Sequence, residues 1–580
     1  MSQARIPRHW AHWLPQVPRH LDIPATHLFH NALASAARHP DKPLFIFYGA
    51  VTTHGRFLAD CEHLAGHLQQ VCGVKRGDRV LLYMQNSPQF AIAYYAILRA
   101  DAVVVPVNPM NLSDELQHCV QDSGAQVIFA AQDLMPQVLP LLLPVMLPVM
   151  HEGQASAPGV GLKHAVVATY SDHLPPDTDL RVPDFVRAPA QTFDVPGVVG
   201  WREALAAQRA ATPMQAGPDD LAVLPYTSGT TSHPKGCMHT HRSVMVNTVA
   251  RPLWMGSRPD SVQLAALPFF HVTGMQNAMN GTIYLGATAV ILPRWDRDVA
   301  LECIQRFRVT GAQLISTMVV DMLSHPHIER FDLSSIVSIG GGGAAMPEAI
   351  AAKLKALTGL DYIEGYGMSE TMAATHINPL QRPKRQCLGI PIFDVDARVV
   401  DPSTFAELPV GEVGEIVVHG PQVMRGYWRK PQADAEAFIA LDGKRFLRTG
   451  DLGRVDEDGY FFMVDRLKRM VNASGFKVWP AEVEALMYAH PAIQEVCVIG
   501  VSDPRRGETV KALVVLRATH RGQVSEADIV AWAHEHMAAY KIPRIVAFVE
   551  HLPKSGTGKI LWRELQQQAA TANPSSTESA

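Results

Sequence analysis

Short, continuous apolar runs alternate with helical periodicity through the first third of the chain, and together with the strand-like runs that resume further on they leave few folds open to it. A strand with one wet face alternates apolar and polar residues, whereas a strand buried on both faces is apolar throughout. "RVLLYMQ" (79–85), "DAVVVPVNP" and "AQVIFAA" are of the second kind. The intervening "SPQFAIAYYAILRA" reads as a helix with Pro88 in its first turn, where a missing N–H is tolerated. This alternation predicts parallel sheets layered with helices. The same texture resumes in "LAVLPYTS", "SVQLAALPFF", "ATAVILP", "AQLIST" and "SIVSIGGGG".

Other stretches differ. Residues 151–200 are rich in Pro, Gly and Asp and read as a long surface excursion. From 395, "VDARVV", "GEIVVHG" and "YFFMVDR" are short strands between Gly/Asp turns, which suggests a β-rich subdomain. After about 468, "PAEVEALMYAHP" is a helix with Val483, Leu486 and Met487 on one face, "IQEVCVIGVSD" and "VKALVVLRA" are strands, and "EADIVAWAHEHM" is a second helix. The tail 567–580 is small and polar and reads as disordered. The expected class is α/β: a large N-terminal domain (1–467) of two α/β layered subdomains plus the β-rich one, then a small α+β domain (468–566).

A chain of 580 residues is too long for one ordinary core. With 47% hydrophobic and 18% charged residues it is globular, and a net charge of −4 gives nucleic acid no foothold. Seven cysteines without a C-x-x-C pair argue against a disulfide framework and for a reducing, cytoplasmic setting. The N-terminus lacks the apolar core of a secretory signal, and Pro7, Pro15 and Pro18 would break the helix of a transit peptide. "VLPLLLPVMLPVM" (138–150) is shorter than the roughly 20 residues of a membrane span and is interrupted by Pro140, Pro144 and Pro148. It reads as a buried or hinge-like connector, with a weak membrane contact left open, and no transmembrane helix is expected.

"YTSGTTSHPKG" (226–236) follows the apolar run "LAVLP". Its hydroxyls, glycines and lysine suit phosphate, since glycine lets backbone N–H groups approach and lysine adds a mobile charge. It is not G-x-x-x-x-G-K-[ST], and by itself such a run is more often a solvated turn. Further along stand "YGMSET" (366–371), "TGD" (449–451), "DRLKRMVNASGFKVWPAE" (465–482) and "PKSGTGKI" (553–560). These five blocks, in this order, resemble the adenylate-forming superfamily of acyl-CoA synthetases, luciferases and nonribosomal adenylation domains. The resemblance runs from about 30 to 566. It is nearest to medium- and long-chain fatty-acid–CoA ligases in "PVNPMNLSDEL", "PFFHVTGM" and "NASGFKVWPAEVE".

The resemblance implies ATP, Mg²⁺ and CoA as co-substrates and cofactors, with site residues to match. Thr227, Ser228, Gly229, Thr230, Thr231 and Lys235 would close over the β- and γ-phosphates. Tyr366 and Gly367 would pack on adenine, and Ser369, a Thr in many relatives, would donate to the α-phosphate. Glu370, with the Thr230 hydroxyl, would hold Mg²⁺, which prefers hard oxygen ligands. Asp451 would accept from the ribose hydroxyls, Arg466 would reach the ribose or phosphate, and Gly342 in "GGGGAA" would let backbone approach the nucleotide. Lys559 would offset charge between acyl oxygen and α-phosphate during adenylation, with Lys554 as a surface lysine nearby. Lys468 would be the hinge of a mobile C-terminal domain, and Ser474, Gly475 and Lys477 would meet CoA. Relatives often carry a lysine at position 472 or a glutamine at 477, where this chain has Asn472 and Lys477. His271 would gate the thiol and carboxylate route, although a lone histidine is more often structural.

Amino-acid-activating relatives place an aspartate near His271; "FFHVTGMQNAMNG" contains no acid, and an unpaired buried ammonium would cost several kcal/mol. Val272, Gly274, Met275, Met279 and Met372 instead suggest an apolar wall for an aliphatic tail, each buried CH₂ contributing about 0.8 kcal/mol. The expected activity is that of a fatty-acyl-CoA synthetase, forming acyl-AMP and pyrophosphate and then the thioester. An aryl-acid–CoA ligase, an acyl-AMP ligase that loads a carrier protein and a non-catalytic lipid-binding scaffold are the alternatives. The short run from Asp451 to Lys468 leans against the carrier-protein form. Oligomeric state, a homodimer included, is not set by the sequence.

Overall fold

Strands Val103–Pro106 and Val127–Ala131 are buried along their whole length in a computed structural model of the chain. The structure describes residues 7–142, 161–227, 234–343, 345–473, 476–503, 507–554 and 560–571. These strands belong to a seven-stranded sheet ordered His239–Thr240, Leu221–Val223, Val103–Pro106, Arg79–Tyr83, Val127–Ala131, His164–Ala168, Val198–Gly200. Only the first of them runs antiparallel to its neighbour. A nine-stranded sheet runs Ile390–Pro391, Ala373–Ile377, Tyr362–Met368, Ser338–Gly342, Gly311–Gln313, Val262–Ala265, Thr288–Ile291, Pro43–Phe47, Ala50–Thr53. It is parallel from Tyr362–Met368 through Pro43–Phe47.

The helix Pro88–Arg99 is buried at every position and capped by Ser87, whose Oγ accepts from Phe90 N at 3.1 Å. One core cluster joins Val80, Leu82 and Val104 of the first sheet to Leu264, Val290 and Ile339 of the second. Each such aliphatic side chain contributes about 1.5–3 kcal/mol on burial, so the two sheets and their helices are held by a shared core. Trp13 donates from Nε1 to Val17 O at 3.1 Å and meets Trp254 edge-on at 4.8 Å, so the basic N-terminal stretch is folded from residue 8 onward.

The stretch 151–200 is not only a surface excursion. His164–Ala168 pairs in parallel with Val127–Ala131, and Val198–Gly200 pairs with His164–Ala168, completing the seven-stranded sheet. "HAVVA" is a buried apolar run of the expected kind, but too short to outweigh the Pro and Gly around it. Residues 143–160 lie outside the described set; before them Met135–Leu142 is helical and contains Pro140, with Val138 buried. No helix among the described residues is long and apolar enough to cross a membrane.

The chain forms two compact units: His9–Asp396 with His419–Phe438, and Ala397–Val418 with the chain from Ile439. The second contains a sheet ordered Asp396–Val400, Gly414–His419, Lys444–Val455, Phe438–Leu441, with Phe461–Arg466 also pairing with Lys444–Val455. It also contains a sheet of Phe476–Val478, Val471–Ala473, Gly507–Leu516 and Ile493–Asp503, with Ile545–Phe548 parallel to Gly507–Leu516. Val483 and Met487 of helix Pro480–Met487 and Ile529 of helix Glu526–His536 share its core, while Leu486 is half-buried. Helix Trp562–Thr571 runs into the stretch expected to be disordered, with Leu565 buried against Cys497 and Leu513. Trp562, Leu565 and Ala569 give it an apolar stripe that its glutamines disguise. None of the seven cysteines is in a disulfide.

Candidate active site

The strands Tyr226–Thr227 and Lys235–Gly236 pair antiparallel, placing Lys235 opposite Thr227, whose Oγ1 lies 3.5 Å from Lys235 O. Ser228, Gly229, Thr230 and Thr231 lie outside the described residues. The far strand is anchored from behind by a segment distant in sequence. Trp428 N donates to Gly236 O at 2.8 Å, Met238 N to Gly426 O at 2.9 Å and Arg425 N to Met238 O at 3.0 Å. That segment carries Tyr427. The Lys235 ammonium sits 4.6 Å from the centroid of the Tyr427 ring, and the Tyr427 hydroxyl donates to Glu370 Oε1 at 2.9 Å. Burial, and after it the charge of Glu370, pushes the phenol well up, so it stays a donor.

Glu370 occupies a tight turn, Ser369–Thr371, at the end of strand Tyr362–Met368. Met424 N donates to Glu370 O at 2.8 Å, and His239 Nε2 donates to Ser369 O at 2.8 Å. His239 is fully buried, and burial pushes it down to about 4, so the neutral ring holds this turn in one tautomer. Tyr366 lies opposite His376 in the strand register, with ring centroids 5.6 Å apart. Gly342 lies opposite Gly365 on the neighbouring strand. The glycine run also has a cause within the sheet: a side chain on Gly341 would come within 2.2 Å of Leu314 O and of the Tyr362 hydroxyl, which bond each other at 2.6 Å.

His271 stands at the start of the short helix Val272–Gly274, its Nδ1 accepting from Thr273 N at 3.3 Å. The chain continues through a wide π-type turn, Met275–Asn280, buried throughout. Such turns are frequent at functional sites. Val272, Met275, Met279 and Met372 all belong to the main core cluster, and a side chain on Gly274 would come within 2.2 Å of Pro268 O. The expected acyl-wall residues Val272, Met275, Met279 and Met372 are thus fully buried core side chains.

In the second unit, Asp451 and Arg466 are cross-strand neighbours, with Arg466 Nε 2.8 Å from the buried Asp451 Oδ1. Just before Asp451 the strand Lys444–Val455 shifts register against Gly414–His419 and takes Gly450 at φ +69°; Glu415 fastens this irregularity, accepting from Arg448 Nη2 at 2.7 Å and Gly450 N at 3.2 Å. Lys468 lies in the turn Leu467–Arg469 and Lys477 in strand Phe476–Val478. Ser474, Gly475 and Lys559 lie outside the described residues. Lys554 and Ile560 form a bridge on either side of 555–559, and Lys554 Nζ pairs with Glu495 at 2.5 Å, which suits a surface lysine.

Sequence reasoning passed over two groups. Tyr427 and His239 carry no spacing signal; only their contacts mark them. Beside Lys468, Arg469 pairs with Glu484 and donates to Val498 O at 3.0 Å, while Asp465 accepts from Ala481 N at 2.7 Å. Burial pulls the Arg469 guanidinium down, yet Glu484 and Asp465 together hold it above its ordinary value.

Glu370 fits a magnesium ion in chemistry: it is a partly exposed carboxylate with one oxygen held by Tyr427, whose ring face also meets the Lys235 ammonium. Among the described residues no group of three or more His, Cys, Asp or Glu could hold a metal alone. Mg²⁺ commonly takes one or two carboxylates and completes its shell with phosphates and water.

A family model described as AMP-binding enzyme matches residues 33–428, and one described as AMP-binding enzyme C-terminal domain matches 482–559. A long-chain-fatty-acid–CoA ligase of Bacillus subtilis is 35% identical over 573 residues, covering 96% of this chain and 98% of the relative. ATP-bound MatB from Rhodopseudomonas palustris is similar in structure, with TM-score 0.78 and 27% identity over 93% of this chain and 98% of that one. The anthranilate–CoA ligase AuaEII in complex with anthranoyl-AMP gives TM-score 0.80 and 25% identity, over 95% of this chain and 99% of that one.

Proposed function

The chain belongs to the AMP-binding enzyme family of adenylate-forming ligases, and on that premise we propose that it is a fatty-acid–CoA ligase. The observation that carries the reading is the convergence of Lys235 and Glu370 on Tyr427: a phosphate-loop cation and a metal-holding carboxylate assembled from segments far apart in the chain. The named activity of the Bacillus subtilis relative supports a long aliphatic acid as substrate.

In the first half-reaction a carboxylate oxygen attacks the α-phosphorus of ATP, an acyl–phosphate bond forms, and pyrophosphate leaves with the electron pair of the broken P–O bond. Thr227, Ser228, Gly229, Thr230, Thr231 and Lys235 hold the departing β- and γ-phosphates. Tyr366 and Gly367 pack on adenine, with Gly342 allowing close approach. Ser369 donates to the α-phosphate, Asp451 accepts from ribose with Arg466 beside it, and Lys559 offsets the charge that develops in the transition state. Glu370 and the Thr230 hydroxyl would hold Mg²⁺, which would supply charge compensation to the phosphate oxygens. In the second half-reaction the CoA thiol attacks the acyl carbon and AMP leaves, with His271 guarding the route and Ser474, Gly475 and Lys477 meeting CoA. We assign residues 1–467 to the first catalytic domain and 468–566 to a mobile domain that turns at Lys468. The setting is cytoplasmic, and a homodimer is compatible with the proposal.

The anthranoyl-AMP complex of a structural relative favours one second reading, an aryl-acid–CoA ligase. A panel of acids with ATP, Mg²⁺ and CoA separates them. The fatty-acid reading expects kcat/KM to climb by about 4-fold per added CH₂ until the pocket is full, the equivalent of 0.8 kcal/mol. Benzoate-type acids outrunning every aliphatic chain would replace it with the second reading.

A further inference from the structure

Tyr427 touches both charged groups of the proposed phosphate site, and it touches them with different parts of the ring. The Lys235 ammonium lies over its face at 4.6 Å, and Glu370 Oε1 takes its hydroxyl at 2.9 Å. An ammonium is drawn to the negative face of an aromatic ring and a carboxylate to its O–H, so one side chain satisfies both without letting them meet. The ring is held in place: only 8% of the residue is exposed, and Tyr427 N donates to Asp434 Oδ1 at 2.7 Å. Its segment also pairs with Gly236 and Met238 on one side and with Glu370 O on the other. A lysine and a glutamate with nothing between them would form an ion pair, and each would then be withheld from its ligand.

We propose that Tyr427 is a positioning residue that aims Glu370 at the magnesium of Mg-ATP and keeps Lys235 from pairing with that carboxylate. This rests on the proposed ligase function. Oε1 is fixed by the phenol, which leaves Oε2 as the oxygen directed to the cation. The ring face holds Lys235 only weakly, so phosphate oxygens can draw the ammonium away. Partners that orient a metal-holding carboxylate are worth about 10–100-fold in affinity.

The test uses the full-length protein, with ATP binding measured by calorimetry in Mg²⁺ and in EDTA. Tyr427→Phe keeps the ring and loses the hydroxyl. It should weaken Mg-ATP binding about tenfold, raise the Mg²⁺ needed for half-maximal ATP–pyrophosphate exchange by a similar factor, and leave metal-free ATP binding unchanged. Tyr427→Leu should also weaken metal-free ATP binding, because Lys235 is captured by Glu370. Adding Glu370→Gln to Tyr427→Leu should restore that metal-free affinity. Thermal melting checks folding, and if Tyr427→Leu does not fold, Tyr427→Phe decides alone. A Tyr427→Phe protein with unchanged Mg²⁺ dependence, or with equal losses in Mg²⁺ and EDTA, overturns the assignment. Wild-type protein that binds no Mg-ATP overturns the ligase function as well, which tells the two failures apart.

Discussion

Lys235 and Glu370 in the first unit both meet Tyr427, one at its ring face and the other at its hydroxyl, whereas Asp451 meets Arg466 and Arg469 meets Glu484 directly in the second. Opposite charges kept apart remain available to a ligand that carries both signs, as a metal–triphosphate does. Opposite charges closed on one another and buried instead hold strands and helices together. Arg469 ties the turn after strand Phe461–Arg466 to helix Pro480–Met487, and Asp465 accepts from the first turn of that helix. Asp451 belongs to both kinds, being paired and buried yet proposed to receive ribose.

The largest effect is expected at the residue that would act on developing charge. Lys559→Ala should slow acyl-AMP formation by at least about 10²-fold, while thioester formation from supplied acyl-AMP is spared. Equal loss in both half-reactions, measured separately by rapid quench, would reject the role. Next, Glu484→Gln strands a buried guanidinium and should cost about 3–5 kcal/mol, read from urea unfolding of the second unit. Glu370→Gln should cost under about 1 kcal/mol in the same assay yet remove Mg²⁺-dependent exchange, because its partner is a neutral hydroxyl. Similar stability losses in the two variants would erase the distinction between separated and paired charges.

The smallest effect is graded with pH. Burial pushes His54, His67 and His239 down to about 4 and His376 to about 3. Between pH 6.5 and these values the unfolded chain binds protons that the folded chain does not. Stability therefore rises with pH through this window and is lost as pH falls from 6.5 toward 4, by up to about 1.4 kcal/mol per unit for each histidine. His239→Gln, which keeps a donor for Ser369 O, should flatten the melting-temperature profile by one histidine's share. An unaltered slope would show that His239 is not held neutral.

Strands such as Arg79–Tyr83 and Val127–Ala131 were legible because full burial leaves a continuous apolar run. The blocks that carry Glu370, Tyr366 and Asp451 could be singled out because they are local and ordered. His164–Ala168 was hidden by Pro and Gly on either side, and helix Trp562–Thr571 by a glutamine-rich surface face. Tyr427 and His239 were not legible at all, since a phenol meeting a carboxylate from another segment, or a ring holding a carbonyl, leaves no trace in spacing. The same holds for Arg469 with Glu484: their types are ordinary, and only burial makes the pair matter.

In the proposed reaction an acid is activated through its adenylate and passed to CoA. Incubating the protein with ATP, Mg²⁺ and a long-chain fatty acid, with and without CoA, and resolving all products tests it most directly. The proposed ligase gives acyl-CoA, AMP and pyrophosphate in equal amounts when CoA is present, and without CoA only enzyme-bound acyl-AMP and an equal amount of pyrophosphate, each matching the protein. Acyl-CoA accompanied by ADP and phosphate, or steady AMP release that ignores CoA, would contradict it.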